Sequence, residues 1–204
     1  MKLLVRILWL TLLCMPFVTS ASLAKVPSQQ EAREELESSV QEISALVKAA
    51  DDVETLRTEI APILSAIIDF SAFSSRTLKG HWGELEERER ERFEAAFRAL
   101  VMAIYAKRFV PGMVFISRVR GTSQAKEGDP LLIKTTLQGP KASVDVDYAF
   151  MMRGDGAKRS WRIIDISIDG VSMAQNWRSA FVRIMKRDGF DALITKIERK
   201  SRVR

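Results

Sequence analysis

The sequence predicts an α+β domain, with helices packed on one face of a curved four-stranded antiparallel sheet. Three observations lead there. Up to residue 105, apolar side chains recur at helical spacing. From residue 113 to 168 they fall into short, mostly alternating runs separated by Gly, Pro and Asp clusters. After Ser172 the helical period returns. Consecutive strands with short connections form an antiparallel meander, and the flanking helices need a sheet face to cover.

The chain opens with a targeting pattern. Lys2 and Arg6 flank a mostly apolar run from Leu3 to Val18, and Ser22-Leu23-Ala24 is a small-x-small cleavage site before Lys25. That run is shorter than the roughly 20 residues a membrane span needs, so residues 1–24 are expected to be a cleaved secretory signal. Cys14 is the only cysteine and leaves with the signal, because Leu13 is too large for a lipoprotein site. The exported chain then has no disulfide and no thiol chemistry. Residues 25–204 are long enough for one domain with its own core.

The elements follow in order. Ser28 and Glu31 have capping-box spacing, and Leu36, Val40, Ile43, Leu46 and Val47 form one apolar stripe. Asp51 and Asp52 start a second helix carrying Ile60, Ile63, Leu64, Ile67 and Ile68, with Pro62 expected to open or kink it. Asp69-Phe70 begins a short helix that Gly80 ends. The mixed charges from Glu84 to Arg92 form the exposed first turns of a long helix, whose buried face is Phe93, Phe97, Leu100, Val101, Ile104 and Tyr105. Pro111-Gly112 closes this half. The strands cover 113–119, then Leu131, Ile133, Thr135 and Leu137 on one face, then Val144 to Met152 with Ser143, Asp145 and Asp147 opposite, then 160–168. Asp169-Gly170 turns the chain, Ser172 and Gln175 have capping-box spacing, and Met173, Trp177, Phe181, Ile184 and Met185 form an amphipathic face.

Chemistry-bearing groups are sparse. His81 is the only histidine, so no His pair exists for zinc, and no phosphate loop, dinucleotide glycine pattern or nucleophile elbow is present. Asp147, Asp165 and Asp169 could meet at a cavity, but each reads first as a strand-edge or turn carboxylate. The formal charge is +6, or +4 without Lys2 and Arg6. Arg183, Lys186, Arg187, Lys196, Arg199, Lys200, Arg202 and Arg204 crowd a basic C-terminal tail. These suit a solvated helix end, or a surface for anionic lipid or an acidic partner; export argues against nucleic acid. Apolar bulk is the main resource, including Met102, Met113, Met151, Met152, Met173 and Met185.

Several stretches, in their order and spacing, resemble one family. They are Asp69-Phe70 with Leu78-Lys79-Gly80-His81-Trp82, then Arg92 to Leu100 with Tyr105-Ala106, then Val146-Asp147-Tyr148 leading to Trp161-Arg162 and Asp165. The most specific are Asp169-Gly170-Val171-Ser172 and Asn176-Trp177-Arg178-Ser179-Ala180-Phe181. Together they resemble the MlaC, or toluene-tolerance, family of periplasmic phospholipid carriers, which serve an ABC transporter of the outer-membrane lipid asymmetry system. The chain departs from the family pattern at Lys79, in the usual glycine position, at Trp177, usually Tyr, and at Asp145 and Asp147.

The resemblance implies a periplasmic phospholipid shuttle that is not an enzyme and uses no cofactor, with phospholipid as cargo. It implies an inner-membrane ABC transporter complex and an outer-membrane lipoprotein complex as partners. It also implies an apolar cavity between helices and sheet, with Phe97, Val101, Tyr105, Phe115, Tyr148, Phe150, Val171, Trp177 and Phe181 as expected wall residues. On residue type alone each of these is equally a core residue. Arg183, Lys186 and Arg187 are candidates for partner docking. The alternatives are a hopanoid-related lipid carrier and a small-cavity carboxylate enzyme of similar cone-shaped fold.

Overall fold

The computed structural model describes residues 27–106 and 108–202; the expected signal 1–24 and Arg204 lie outside the described residues. Six helices and five strands follow in order: α1 Gln29–Ala49, α2 Val53–Ile67, α3 Phe70–Thr77, α4 Glu87–Ala106, β1 Ile116–Ser123, β2 Leu131–Gln138, β3 Ser143–Arg153, β4 Ser160–Ile168, β5 Val171–Ser172, α5 Met173–Asp188 and α6 Phe190–Arg202. The sheet is antiparallel throughout, in the order β1-β2-β3-β4-β5. The α+β meander is therefore as expected, with the two-residue β5 added to the four strands.

Local chemistry sets the boundaries. Ser28 caps α1 through a reciprocal capping box with Glu31. The Asp52 carboxylate accepts from the amides of Glu54 and Thr55 at the start of α2. The hydrogen bonds from Thr55 hold that carboxyl below the usual carboxylate range. α2 runs through Pro62 without ending there, although the ring denies the Thr58 carbonyl its usual donor. Asp69 caps α3 through the Ala72 amide, and Arg153 clamps the same carboxylate at 2.6 Å. The Asp69 amide also donates to the Ile163 carbonyl, so the α2–α3 junction is pinned to β4.

Two bulges interrupt the sheet ladder, and bulges bend and twist a sheet. In β1, Arg120 is the extra residue between the Val119–Thr135 and Gly121–Lys134 pairs. In β4, Ile164 is the extra residue between the Ile163–Phe150 and Asp165–Ala149 pairs. The turn before β5 places Asp169 at φ 48°, a left-handed conformation that Asp tolerates better than bulky residues. Gly189, at φ 86°, separates α5 from α6. The basic C-terminal stretch is thus a packed helix rather than a loose tail. Leu193, Ile194 and Ile197 are its buried face, and Arg92 of α4 pairs with Asp191 at 2.9 Å.

Candidate functional site: an apolar cavity under α1

Phe73 of α3, Phe93 and Phe97 of α4, and Trp177 and Phe181 of α5 interlock into a solid aromatic cluster. Phe97 meets Trp177 edge-on at 5.0 Å and Phe73 edge-on at 5.3 Å, and stacks on Phe93 at 5.7 Å. Edge-to-face and offset contacts of this kind are worth about 0.5–1.5 kcal/mol each beyond buried area.

On the other side of the domain the packing does not close. A cavity of about 260 Å³ lies between α1, the end of α2 and the inner sheet face. α1 contributes Leu36, Ser39, Val40 and Ile43, and α2 with its C-cap contributes Leu64, Ile67 and Ile68. The sheet supplies Leu137, Val144, Val146, Tyr148, Ile163, Ile166 and Ile168. The segment before β1 supplies Arg108, Phe109, Met113 and Phe115, opposite Gly139 and Ala142 of the β2–β3 hairpin. Depth is graded: Leu36, Ile43, Ile67, Ile163 and Ile166 are buried, whereas Arg108 and Ala142 are exposed and mark the mouth. The segment is held in place by the Gly112 amide donating to the Val47 carbonyl at 2.8 Å and by the Phe109 and Phe115 rings 5.8 Å apart.

The expected wall residues divide. Phe115 and Tyr148 line this cavity. Phe97, Trp177 and Phe181 lie in the aromatic cluster, and Val101 and Phe150 are fully buried in the core; none of these five lines the cavity. Val171 opens β5 directly after the Asp169-Gly170 turn and is 57% exposed. The Tyr105 side chain lies outside the described residues. The cause of the division is that helical periodicity specifies a buried face but not which layer it meets. The α1 residues, and Arg108, Phe109 and Met113, are not among the expected wall residues. Ser39, a small polar residue within the α1 stripe, is the one sequence sign that this face does not meet a dry core.

A charge at Val171 should therefore change little. Val171→Glu is expected to fold and keep any cavity ligand, with stability shifted by no more than about 0.5 kcal/mol, as at ordinary surface positions. Thermal unfolding and ligand content of the same preparation check this.

The carboxylates are occupied away from the cavity. Buried Asp165 accepts from the Ile166 and Ala174 amides and from the Ser172 hydroxyl at 2.6 Å, tying β4 to the start of α5. Asp145 and Asp147 pair with Arg120 on the opposite sheet face, at 3.3 and 3.1 Å. Asp169 accepts from the Asp145 amide. His81 bonds Glu84 in the turn before α4. No group of three or more His, Cys, Asp or Glu side chains suited to a metal occurs among the described residues.

Tyr148 is the titratable group inside the wall. Burial pushes its phenol up to about 12, with the Thr135 hydroxyl pulling the other way. The fold thus favours the neutral phenol. Between the ordinary value near 10 and about 12, the unfolded chain holds fewer protons than the folded one, so stability should fall as pH rises through that window. Ultraviolet titration should show delayed phenolate formation that Tyr148→Phe abolishes; titration of both tyrosines at the ordinary value would refute it.

Of the docking candidates, Arg183, Lys186 and Arg187 are all exposed on α5. Arg187 is already bound to Asp188 through two contacts at 2.8 and 2.9 Å, which raises its pKa and holds that carboxyl well below its usual range. No helix among the described residues is long and apolar enough to cross a membrane.

Comparison with known proteins fits this architecture. The chain is 22% identical over 172 residues to the intermembrane phospholipid transport system binding protein MlaC of Haemophilus influenzae, spanning 84% of this chain and 79% of that protein. A solved phospholipid-binding protein from Ralstonia solanacearum, in complex with a phospholipid, superposes with a TM-score of 0.72 at 15% identity, covering 83% of this chain and 96% of that one. Residues 34–199 match the family model described as MlaC protein, and the chain therefore belongs to the MlaC family.

Proposed function

We propose that this protein is a periplasmic phospholipid-binding shuttle in an ABC-transporter system that maintains outer-membrane lipid asymmetry. The observation that carries this reading is an apolar cavity, open at one end, in a chain of the MlaC family. The named function of the Haemophilus relative and the ligand of the Ralstonia protein support it. Residues 1–24 would be the export signal and 25–204 the single carrier domain.

The physical logic is shielding. Each methylene removed from water is worth about 0.8 kcal/mol, so a diacyl lipid travels through an aqueous space only inside a pocket. The cavity of about 260 Å³ lies just below the usual range of ligand pockets, about 300–1,000 Å³. Met113, with its three flexible torsions, stands where the wall can repack around a longer chain. The headgroup remains at the mouth, near Arg108. Transport of this kind needs no catalytic group and no cofactor.

Protein purified without detergent is the test. Native mass spectrometry with lipid extraction should find diacyl phospholipid. Protein that is empty and takes up no added phospholipid would overturn the reading, and hopanoid in its place would move the chain to a related carrier class.

The partners would be an inner-membrane ABC transporter complex and an outer-membrane lipoprotein complex, with the Arg183–Arg187 face of α5 as one docking surface. Reversing Arg183, Lys186 and Arg187 to Glu should slow lipid transfer between reconstituted partner complexes about tenfold, while bound lipid is unchanged. Arg187 should contribute least, because Asp188 already neutralises it. Unaltered transfer would remove this face from consideration.

A further inference from the structure

The cavity's mouth has an outer side that the shuttle reading leaves unused. In the segment preceding and entering β1, side chains alternate. Met113 and Phe115 face the cavity, whereas Val114 and Ile116 face solvent, 54% and 51% exposed. Val110, a few residues earlier, is 60% exposed. Large apolar groups grouped this closely on a surface mark a contact with something apolar.

Along the segment itself the charge has one sign. From Ala95 through Lys126 the sequence contains no acidic residue. Arg108 stands at the mouth, Arg118 lies two residues beyond Ile116, and Lys141 is at the exposed β2–β3 hairpin across the opening. None of these three has an ion-pair partner among the described residues, in contrast to Arg120, which is held by Asp145 and Asp147. An apolar strip framed by unpaired cations is the pattern of a surface that lies in a bilayer interface, with aliphatic side chains below the headgroups and cations among the phosphates.

We infer that the rim formed by residues 108–118 and the β2–β3 hairpin docks on an anionic phospholipid bilayer, setting the mouth against the membrane. This rests on the shuttle reading for its purpose, because an acyl chain crossing directly from bilayer to cavity meets Met113 and Phe115 before it meets water. Two physical features make the docking reversible. The rim offers only three aliphatic side chains, and its electrostatic attraction is screened by salt.

Co-sedimentation with phosphatidylglycerol vesicles and with phosphatidylcholine vesicles tests this, with the protein's own lipid content measured in parallel. Wild-type protein should bind the phosphatidylglycerol vesicles more strongly, and added salt should weaken that binding. Val114→Asp combined with Ile116→Asp should reduce vesicle binding about tenfold or more and leave cavity lipid in place, since both side chains face away from the wall. Arg108→Glu should reduce binding about tenfold on phosphatidylglycerol only. Failure of wild-type protein to bind either vesicle, or full binding by the double variant, would overturn the proposal. Loss of transfer to a partner complex with vesicle binding intact would also overturn it, assigning the rim to a protein instead. Absence of cavity lipid in every variant, wild type included, would count against the shuttle reading and not against the rim.

Discussion

Phe97→Ala should cost about 3–5 kcal/mol of folding stability, a large share of the 5–15 kcal/mol typical of a domain, without altering the ligand content of the molecules that remain folded. Phe97 is fully buried, and its ring is contacted by Phe73, Phe93, Trp177 and Phe181 from three helices. Truncation removes the centre of that cluster and leaves a hole that the surrounding rings, locked edge-on, are poorly able to fill. The cavity under α1 has a separate lining and should keep its shape. Denaturant unfolding followed by lipid extraction of the folded fraction gives both quantities. An unchanged unfolding midpoint would mean the cluster is not a packed core, and loss of lipid from folded protein would return Phe97 to the cavity wall.

Val146→Trp should produce the opposite pattern, a folded protein emptied of lipid. Val146 is on β3, is buried and lines the cavity. An indole placed there occupies space meant for an acyl chain and adds no charge. Displacing four methylenes would cost about 3 kcal/mol of binding, on the order of a hundredfold in affinity. Far-ultraviolet circular dichroism and unfolding should match the parent protein, because the added ring fills a void instead of forcing apart a dense core. A variant that retains lipid at parental levels would show that cargo sits elsewhere, and one that fails to fold would show that the space beside Val146 is too small for an indole.

How far the sequence foretold this molecule depended on which forces were local. The Ser28–Glu31 capping box, the Asp52 and Asp69 caps and the strand alternation of Leu131 to Leu137 are interactions among near neighbours, and all are present as expected. The division between core and cavity is not local. Trp177 and Phe181 have the spacing of any buried helical face, and only the angle at which α5 meets α3 and α4 places them in the solid cluster. Leu36, Val40 and Ile43 look like an ordinary stripe on α1, yet the sheet stands off from them. Val171, among the expected wall residues for its place in a specific motif, is turned outward by the tight Asp169-Gly170 turn that fixes β5. Family resemblance could identify the motif; only the three-dimensional packing shows that much of it builds the helical core beside the cavity.

The extra residue in β4 makes strand length a matter of function. Side chains on a strand alternate between faces, so one inserted residue would exchange the faces for everything after it if a bulge did not absorb it. With Ile164 present, Ile163 lines the cavity before the bulge and Ile166 and Ile168 line it afterwards, while Asp165 turns to the α5 side and bonds Ser172 and Ala174. Deleting Ile164 would leave the partners across the ladder, and so the faces, unchanged, because Ile163 opposite Phe150 would be followed directly by Asp165 opposite Ala149. The same deletion outside the bulge, at Ser167, has no extra residue to take up and would turn Ile168 away from the wall or break its pairing with Val146. The bulge is therefore where β4 tolerates a change of length, and the regular stretch 166–168 is where it does not.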